Sequence, residues 1–174
     1  MQHDLESILK NAQFTDITLA FEGHTIKAHK AILAARSPVF AAMFSTDMEE
    51  SRQNQVTITD MEYEVAQQLL QFIYTGKTDI SPGTVDQLLV AADKYGLSRL
   101  KAQCEQTIFN TLAIPTAIKT LIFADRMNTQ QLKSRTMKFI KTNMDKVVES
   151  ADWKTMAVEH PTLLVEVCRA LAHA

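Results

Sequence analysis

The chain has 174 residues, 46% of them apolar and 22% charged, with four glycines and four prolines, which suits one large globular domain or two small ones. Its formal net charge of -2 supplies no field that would make nucleic acid or an anionic membrane the main partner.

Residues 2 to 12 place Leu5, Ile8, Leu9 and Ala12 at helical spacing, a narrow apolar stripe on an otherwise polar helix. Two coverings are open to that stripe: the helix folds back on its own domain, or it meets a second chain. From Phe14 the period changes to two, with Ile17, Leu19 and Phe21 on one face, and a Glu22-Gly23 turn leads into a second strand through Ile26 and Ala28. After His29 the run Lys30 to Ala35 reads as a helix. Ser37-Pro38 then starts a second, short one, because serine caps helix N-termini and proline is tolerated at the first helical position.

A polar loop from Ser45 to Asn54 holds one large apolar residue, Met48, and precedes a strand around Val56-Thr57-Ile58. Asp60 is expected to cap the next helix, which carries Val65, Leu69, Leu70, Phe72 and Ile73 to a stop at Gly76. Ser81-Pro82 is expected to start another, with Val85, Leu88, Leu89 and Ala92 inward and Gly96 at its end, and Leu97, Leu100, Cys104 and Ile108 mark the one after. Beyond about residue 80 no strand is predicted, only helices punctuated by Pro115, Asn128-Thr129 and His160-Pro161. Charge changes with class: residues 1–112 hold 9 basic and 14 acidic side chains, and residues 113–174 hold 9 and 6. A domain boundary is therefore placed near Leu112 to Pro115. The order of elements is not a βαβ array, which argues against a nucleotide-binding doubly wound sheet.

The strings Phe14-Thr15-Asp16-Ile17, Ala28-His29-Lys30-Ala31-Ile32-Leu33-Ala34-Ala35-Arg36-Ser37-Pro38-Val39-Phe40 and Met43-Phe44 resemble the core signature of BTB/POZ domains. Phe72-Ile73-Tyr74-Thr75-Gly76, Ala91-Ala92-Asp93-Lys94-Tyr95 and Asp152-Trp153-Lys154 narrow the resemblance to the speckle-type POZ group, over essentially the whole chain. It implies an α+β fold: a BTB/POZ domain over residues 1–112, a small mixed sheet covered by helices, followed by an all-α BACK extension with 3-box helices over residues 113–174. It also implies a non-catalytic, homodimeric substrate adaptor of a cullin-3 RING ubiquitin ligase, intracellular and nuclear rather than cytoplasmic. In that group a MATH domain captures substrates; none is recognised in these residues, so the chain is expected to be a fragment or a truncated relative.

Carried onto this sequence, the resemblance puts Leu5, Ile8, Leu9, Asp16, Lys30 and Ile32 on a dimer face. A two-fold interface uses one patch twice, so both first helices would bury each other's apolar area at about 25 cal/mol per Å², with an Asp16–Lys30 pair at the centre. The cullin-binding feature, an apolar residue, any residue, then glutamate, is filled by Met48-Glu49-Glu50. A flexible thioether suits an irregular apolar pocket, and a carboxylate two positions on fixes orientation. Phe44 and Tyr95 are expected neighbours at that face, with ordinary core packing as the other reading. Near the C-terminus the group carries a tyrosine that supports a second self-association face. Here Cys168 takes that place, beside an apolar stripe of Leu164, Val167 and Leu171, and is equally readable as a small buried residue.

No other chemistry assembles. Cys104 and Cys168 form no C-x-x-C pair, which suits a reducing setting. Neither has surroundings that would lower a thiol pKa for catalysis. His24 and His29 lack companion ligands, and the four glycines form no phosphate-cradling loop. No enzymatic activity, cofactor, metal or small-molecule substrate is expected. No apolar run reaches the roughly 18 residues of a membrane span, and the opening Met1-Gln2-His3-Asp4 lacks the parts of a signal peptide. Two other functional readings stand: a BTB module used only for self-association, as in transcriptional repression, and a MATH-less competitor of full-length adaptors.

Overall fold

The computed structural model describes residues 2–45 and 54–172. The chain divides into two compact units, Met1–Cys104 and Glu105–Ala174.

The first unit opens with helix α1 (Gln2–Asn11), which lies against a later helix of the same unit, α4 (Tyr63–Thr75). Strands β1 (Ile17–Phe21) and β2 (His24–Ala28) form the expected hairpin, in register Ile17 to Ala28, turned by Glu22-Gly23 with Gly23 at φ 71°. Period-two alternation buries Ile17, Leu19 and Phe21. Helices α2 (Lys30–Arg36) and α3 (Pro38–Ser45) follow, and then β3 (Gln55–Thr57) pairs with β1 in parallel, Leu19 opposite Val56. The sheet is small and mixed, in the order β2-β1-β3. β3 begins one residue earlier than expected, and Ile58, just past its end, still donates its N–H to Ala20 at 2.8 Å.

Helix α4 ends at Gly76, whose φ of 73° closes the last turn. Two expected caps are corrected. Asp60 does not cap α4; its carboxylate takes Lys94 Nζ at 2.7 Å, and Glu62, at the cap position, makes no side-chain cap bond. Ser81-Pro82 does not start the next helix, α5 (Val85–Lys94). Ser81 instead closes a turn in which its carbonyl accepts the Thr84 N–H at 3.1 Å, and Thr84 Oγ1 accepts from the Gln68 amide at 3.0 Å. Helix α6 (Ser98–Asn110) buries Leu100, Cys104 and Ile108, and the division between the units falls within it.

The second unit is helical throughout its described residues. A 3-10 turn at Ile114–Thr116 contains Pro115 and leads into α7 (Ala117–Arg126) and its neighbour α8 (Gln130–Thr142), joined through Asn128 at φ 51°. Then come α9 (Met144–Val147), α10 (Ala151–Glu159), capped by Ser150 Oγ accepting the Trp153 N–H at 3.2 Å, and α11 (Pro161–Ala172). Ile118, Leu121, Ile140, Met156, Leu163 and Val167 form its core. Lys133 of α8 stands 2.6 Å from both Asp125 of α7 and Glu166 of α11, so one ammonium ties three helices together. Burial alone would lower its pKa, but hydrogen bonds to Asp125 and Glu166, with their charges, hold it above 10.5. Among the described residues no helix is long and apolar enough to cross a membrane.

Candidate protein-interaction faces

The α2–α3 corner is fixed from inside. Ser37, 1% exposed, donates Oγ–H to the Tyr95 carbonyl at 2.7 Å, and the same oxygen accepts the Phe40 N–H at 3.3 Å, the expected cap of α3. Gly96 follows Tyr95 at φ 70° and lies against the Pro38 ring so closely that a Cβ there would stand 2.6 Å from Cγ. Phe40 is fully buried, 4.8 Å ring to ring from Tyr95 and stacked on Phe44 at 5.8 Å. Phe44 is half-buried at the surface. Tyr95 is not: at 2% exposure it has no surface to offer a partner, and its expected contact role becomes support for Phe40 and, through it, Phe44. Burial, with the Asp60 charge, pushes its phenol up to about 12. Met48, Glu49 and Glu50 lie outside the described residues.

The second face gathers around α1. Leu5, Ile8 and Leu9 are half-buried on a helix that lies beside α4, and Ile32 is half-buried as well. Asp16 is exposed, and its Oδ1 accepts the backbone N–H of Lys30 at 2.8 Å, capping α2 where His29 makes no side-chain cap bond. Lys30 Nζ donates to Asn54 Oδ1 at 2.7 Å. His29 and Tyr74 anchor the connection from α1 to β1. The Tyr74 hydroxyl oxygen accepts the His29 backbone N–H at 3.0 Å and lies 2.8 Å from Nδ1, while Nε2 is 2.6 Å from the Gln13 carbonyl. A carbonyl can only accept, so Nε2 carries a proton; in the neutral form of the ring Nδ1 is then the acceptor of the Tyr74 O–H. Burial pushes the Tyr74 phenol up to about 12, against the opposing His29 bond and with help from the Asp16 charge.

Phe14 stands in the turn between α1 and β1, two residues before Asp16. It is 90% exposed at φ 58°. It precedes β1, which begins at Ile17, so the parity of the strand does not reach it and no periodic pattern in the sequence marks its exposure.

On α11 the expected stripe is corrected. The inward pair is Leu163 and Val167, 3% and 2% exposed, so Val167 belongs to the core of its own unit. Leu164 is half-buried, and Cys168 is exposed rather than a buried small residue. The Leu171 side chain lies outside the described residues.

A three-stranded mixed sheet under helices, followed by a helical unit, is an α+β fold with an all-α extension. Residues 5–112 match the BTB/POZ domain family, and the chain belongs to it. Residues 116–168 match the BPM/SPOP BACK domain, so the chain carries the BACK type of the speckle-type POZ group. It is similar to "TD and POZ domain-containing protein 3" of Mus musculus, 45% identical over 173 residues, covering 98% of this chain and 47% of that protein. The chain thus spans about half the length of that relative. Among solved structures it is similar to the "BTB domain of zebrafish PATZ1", with a TM-score of 0.56 and 26% identity, covering 64% of this chain and 90% of that one.

Proposed function

We propose that the chain is the dimerising, cullin-binding part of a non-catalytic substrate adaptor for a cullin-3 RING ubiquitin ligase, acting in the nucleus. The observation that carries this reading is the succession of a BTB/POZ domain and a BPM/SPOP-type BACK domain in one chain. In this reading the BTB domain takes residues 1–112 and the BACK domain residues 113–174. Met48 fills an apolar pocket of the cullin-3 N-terminal region, Glu50 fixes its orientation, and Phe44 flanks them. Leu5, Ile8, Leu9, Ile32, Asp16 and Lys30 meet their copies across a two-fold axis. Substrates are chosen by a different domain.

The test is calorimetric titration of the chain with the cullin-3 N-terminal region, with light scattering on the same samples. The double variant Met48→Asp/Glu50→Lys should lose binding and remain a dimer, and Leu5→Glu/Ile8→Glu should be monomeric. Unchanged cullin affinity in the first variant would overturn the docking assignment. A dimer persisting at micromolar concentration in the second would overturn the interface.

A further inference from the structure

A groove of about 860 Å³ opens on the first unit, on neither of the faces described above. Phe21, Ile58 and Val65, all buried, form its floor, and Met61, Tyr63 and the 40%-exposed Val90 its walls. Its rim carries Glu22, Asp60 and Glu62 and, among the described residues, no lysine or arginine. Asp60 is neutralised by Lys94 at 2.7 Å, whereas Glu62 has only the neutral Gln87 amide at 3.2 Å, and the Glu22 carboxylate has no partner among the described residues. Two rim carboxylates therefore keep their charge above an apolar floor.

The groove also borders β3, an edge strand among the described residues. The ladder of β3 to β1 uses the Asn54 carbonyl, at 2.9 Å from Thr18 N, and the Ile58 N–H. By parallel-ladder alternation the backbone N–H and C=O of Gln55 and Thr57 face away from β1, and they have no backbone partner among the described residues. Thr57 and Thr59 line the groove, and both are exposed.

We propose that this groove binds an extended peptide segment of a partner protein in which apolar and basic residues alternate. The segment adds a strand to β3 through the Gln55 and Thr57 main chain. Because successive side chains of a strand point to opposite faces, one set covers the partly exposed Met61, Tyr63 and Val90, while the long lysines or arginines of the solvent-facing set bend back over the rim to Glu22 and Glu62. An apolar segment would leave both carboxylates unpaired, and an acidic one would be repelled by them.

The probe is a fluorescein-labelled Lys-Val-Lys-Val-Lys-Val-Lys peptide, titrated with the intact chain and followed by fluorescence anisotropy. A block-ordered peptide of four lysines then three valines has the same charge and composition. The alternating peptide should bind about tenfold more tightly than the block peptide, and Glu22→Lys/Glu62→Lys should remove about tenfold of its affinity. Thr57→Pro, which deletes an edge donor and is tolerated on edge strands, should weaken it similarly with an unchanged thermal melt. If that variant fails to fold, a peptide N-methylated at alternate amides supplies the same reading against the native chain. Equal binding of the alternating and block peptides would overturn the proposal, as would undiminished binding to the charge-reversed chain or by the N-methylated peptide. Cullin binding enters none of these readouts, so the proposal stands or falls apart from the adaptor reading.

Discussion

Gly96→Ala tests how tightly the α2–α3 corner is built. Gly96 has φ 70°, and an added Cβ would meet Pro38 Cγ at 2.6 Å and Cδ at 2.9 Å. A side chain in the left-handed region costs about 1–2 kcal/mol. Comfortable carbon contacts lie near ~3.5–4.0 Å, so the proline ring would have to retreat by roughly 1 Å. Pro38 is the first residue of α3, whose Phe40 is fully buried against Tyr95, so the ring cannot move alone. Overpacking of that kind costs about 1–3 kcal/mol. Against both stands the smaller entropy of the unfolded alanine chain, about 0.4–1 kcal/mol, which leaves a loss of about 2–4 kcal/mol. Gly23→Ala is the control: φ is 71°, but nothing lies within 4 Å of the added Cβ, so only the left-handed cost remains, about 1 kcal/mol. Urea unfolding followed by far-UV circular dichroism should place the Gly96→Ala midpoint about 1 M below that of Gly23→Ala, at slopes of about 1–3 kcal/mol per M. Coincident midpoints would show that the corner yields freely and would refute the reasoning.

Two further variants probe buried polar groups. Tyr74→Phe removes the acceptor of the His29 N–H and the donor to its Nδ1, and should lower unfolding free energy by about 1–3 kcal/mol with the dimer state unchanged; a loss below about 0.5 kcal/mol would dismiss the network as an anchor. Thr136, on α8, is fully buried and its hydroxyl has no hydrogen-bond partner among the described residues, so Thr136→Val should raise the thermal midpoint, with a gain of about 1 kcal/mol.

The local parts of the fold were legible because they obey short-range rules. The β1 face follows from residue parity, Ser37-Pro38 from cap chemistry, and Gly76 and Gly96 from the left-handed ends of α4 and α5. The parts that were misread depend on residues far along the chain. Asp60 has the chemistry of a cap, but Lys94, 34 residues on, takes its carboxylate. Asp16, expected to pair with Lys30, holds the Lys30 backbone N–H within one chain, a bond that residue types alone do not announce. On α11 the spacing was ambiguous: Leu163 and Leu164 stand four and three residues before Val167, and either satisfies a helical stripe. Packing chose Leu163, and that choice, which rotates the buried face by one residue, leaves Cys168 in solvent. Tyr95 shows the same limit, since a tyrosine next to a helix end reads equally well as surface or core until Phe40 is seen beside it.

The α1 face has an uneven distribution of available apolar surface, and this bears on how a dimer built there would be held. Fully burying a leucine or isoleucine side chain contributes about 1.5–3 kcal/mol. Leu5, Ile8 and Leu9 have already withdrawn part of that surface from water, with α1 packed on α4, so only the remainder is left for a second chain. Phe14 has withdrawn almost none, at 90% exposure, and stands two residues before Asp16, itself held by the Lys30 N–H. The aromatic ring therefore offers a larger gain per residue than any single member of the stripe. The His29–Tyr74–Gln13 bonds hold the segment that presents it, which limits the ordering cost of using it. A helix already docked within its own unit also needs no unfolding before association. Self-association on this face would then join two preformed surfaces, and Phe14, two residues before Asp16, has the most apolar surface left to contribute to it.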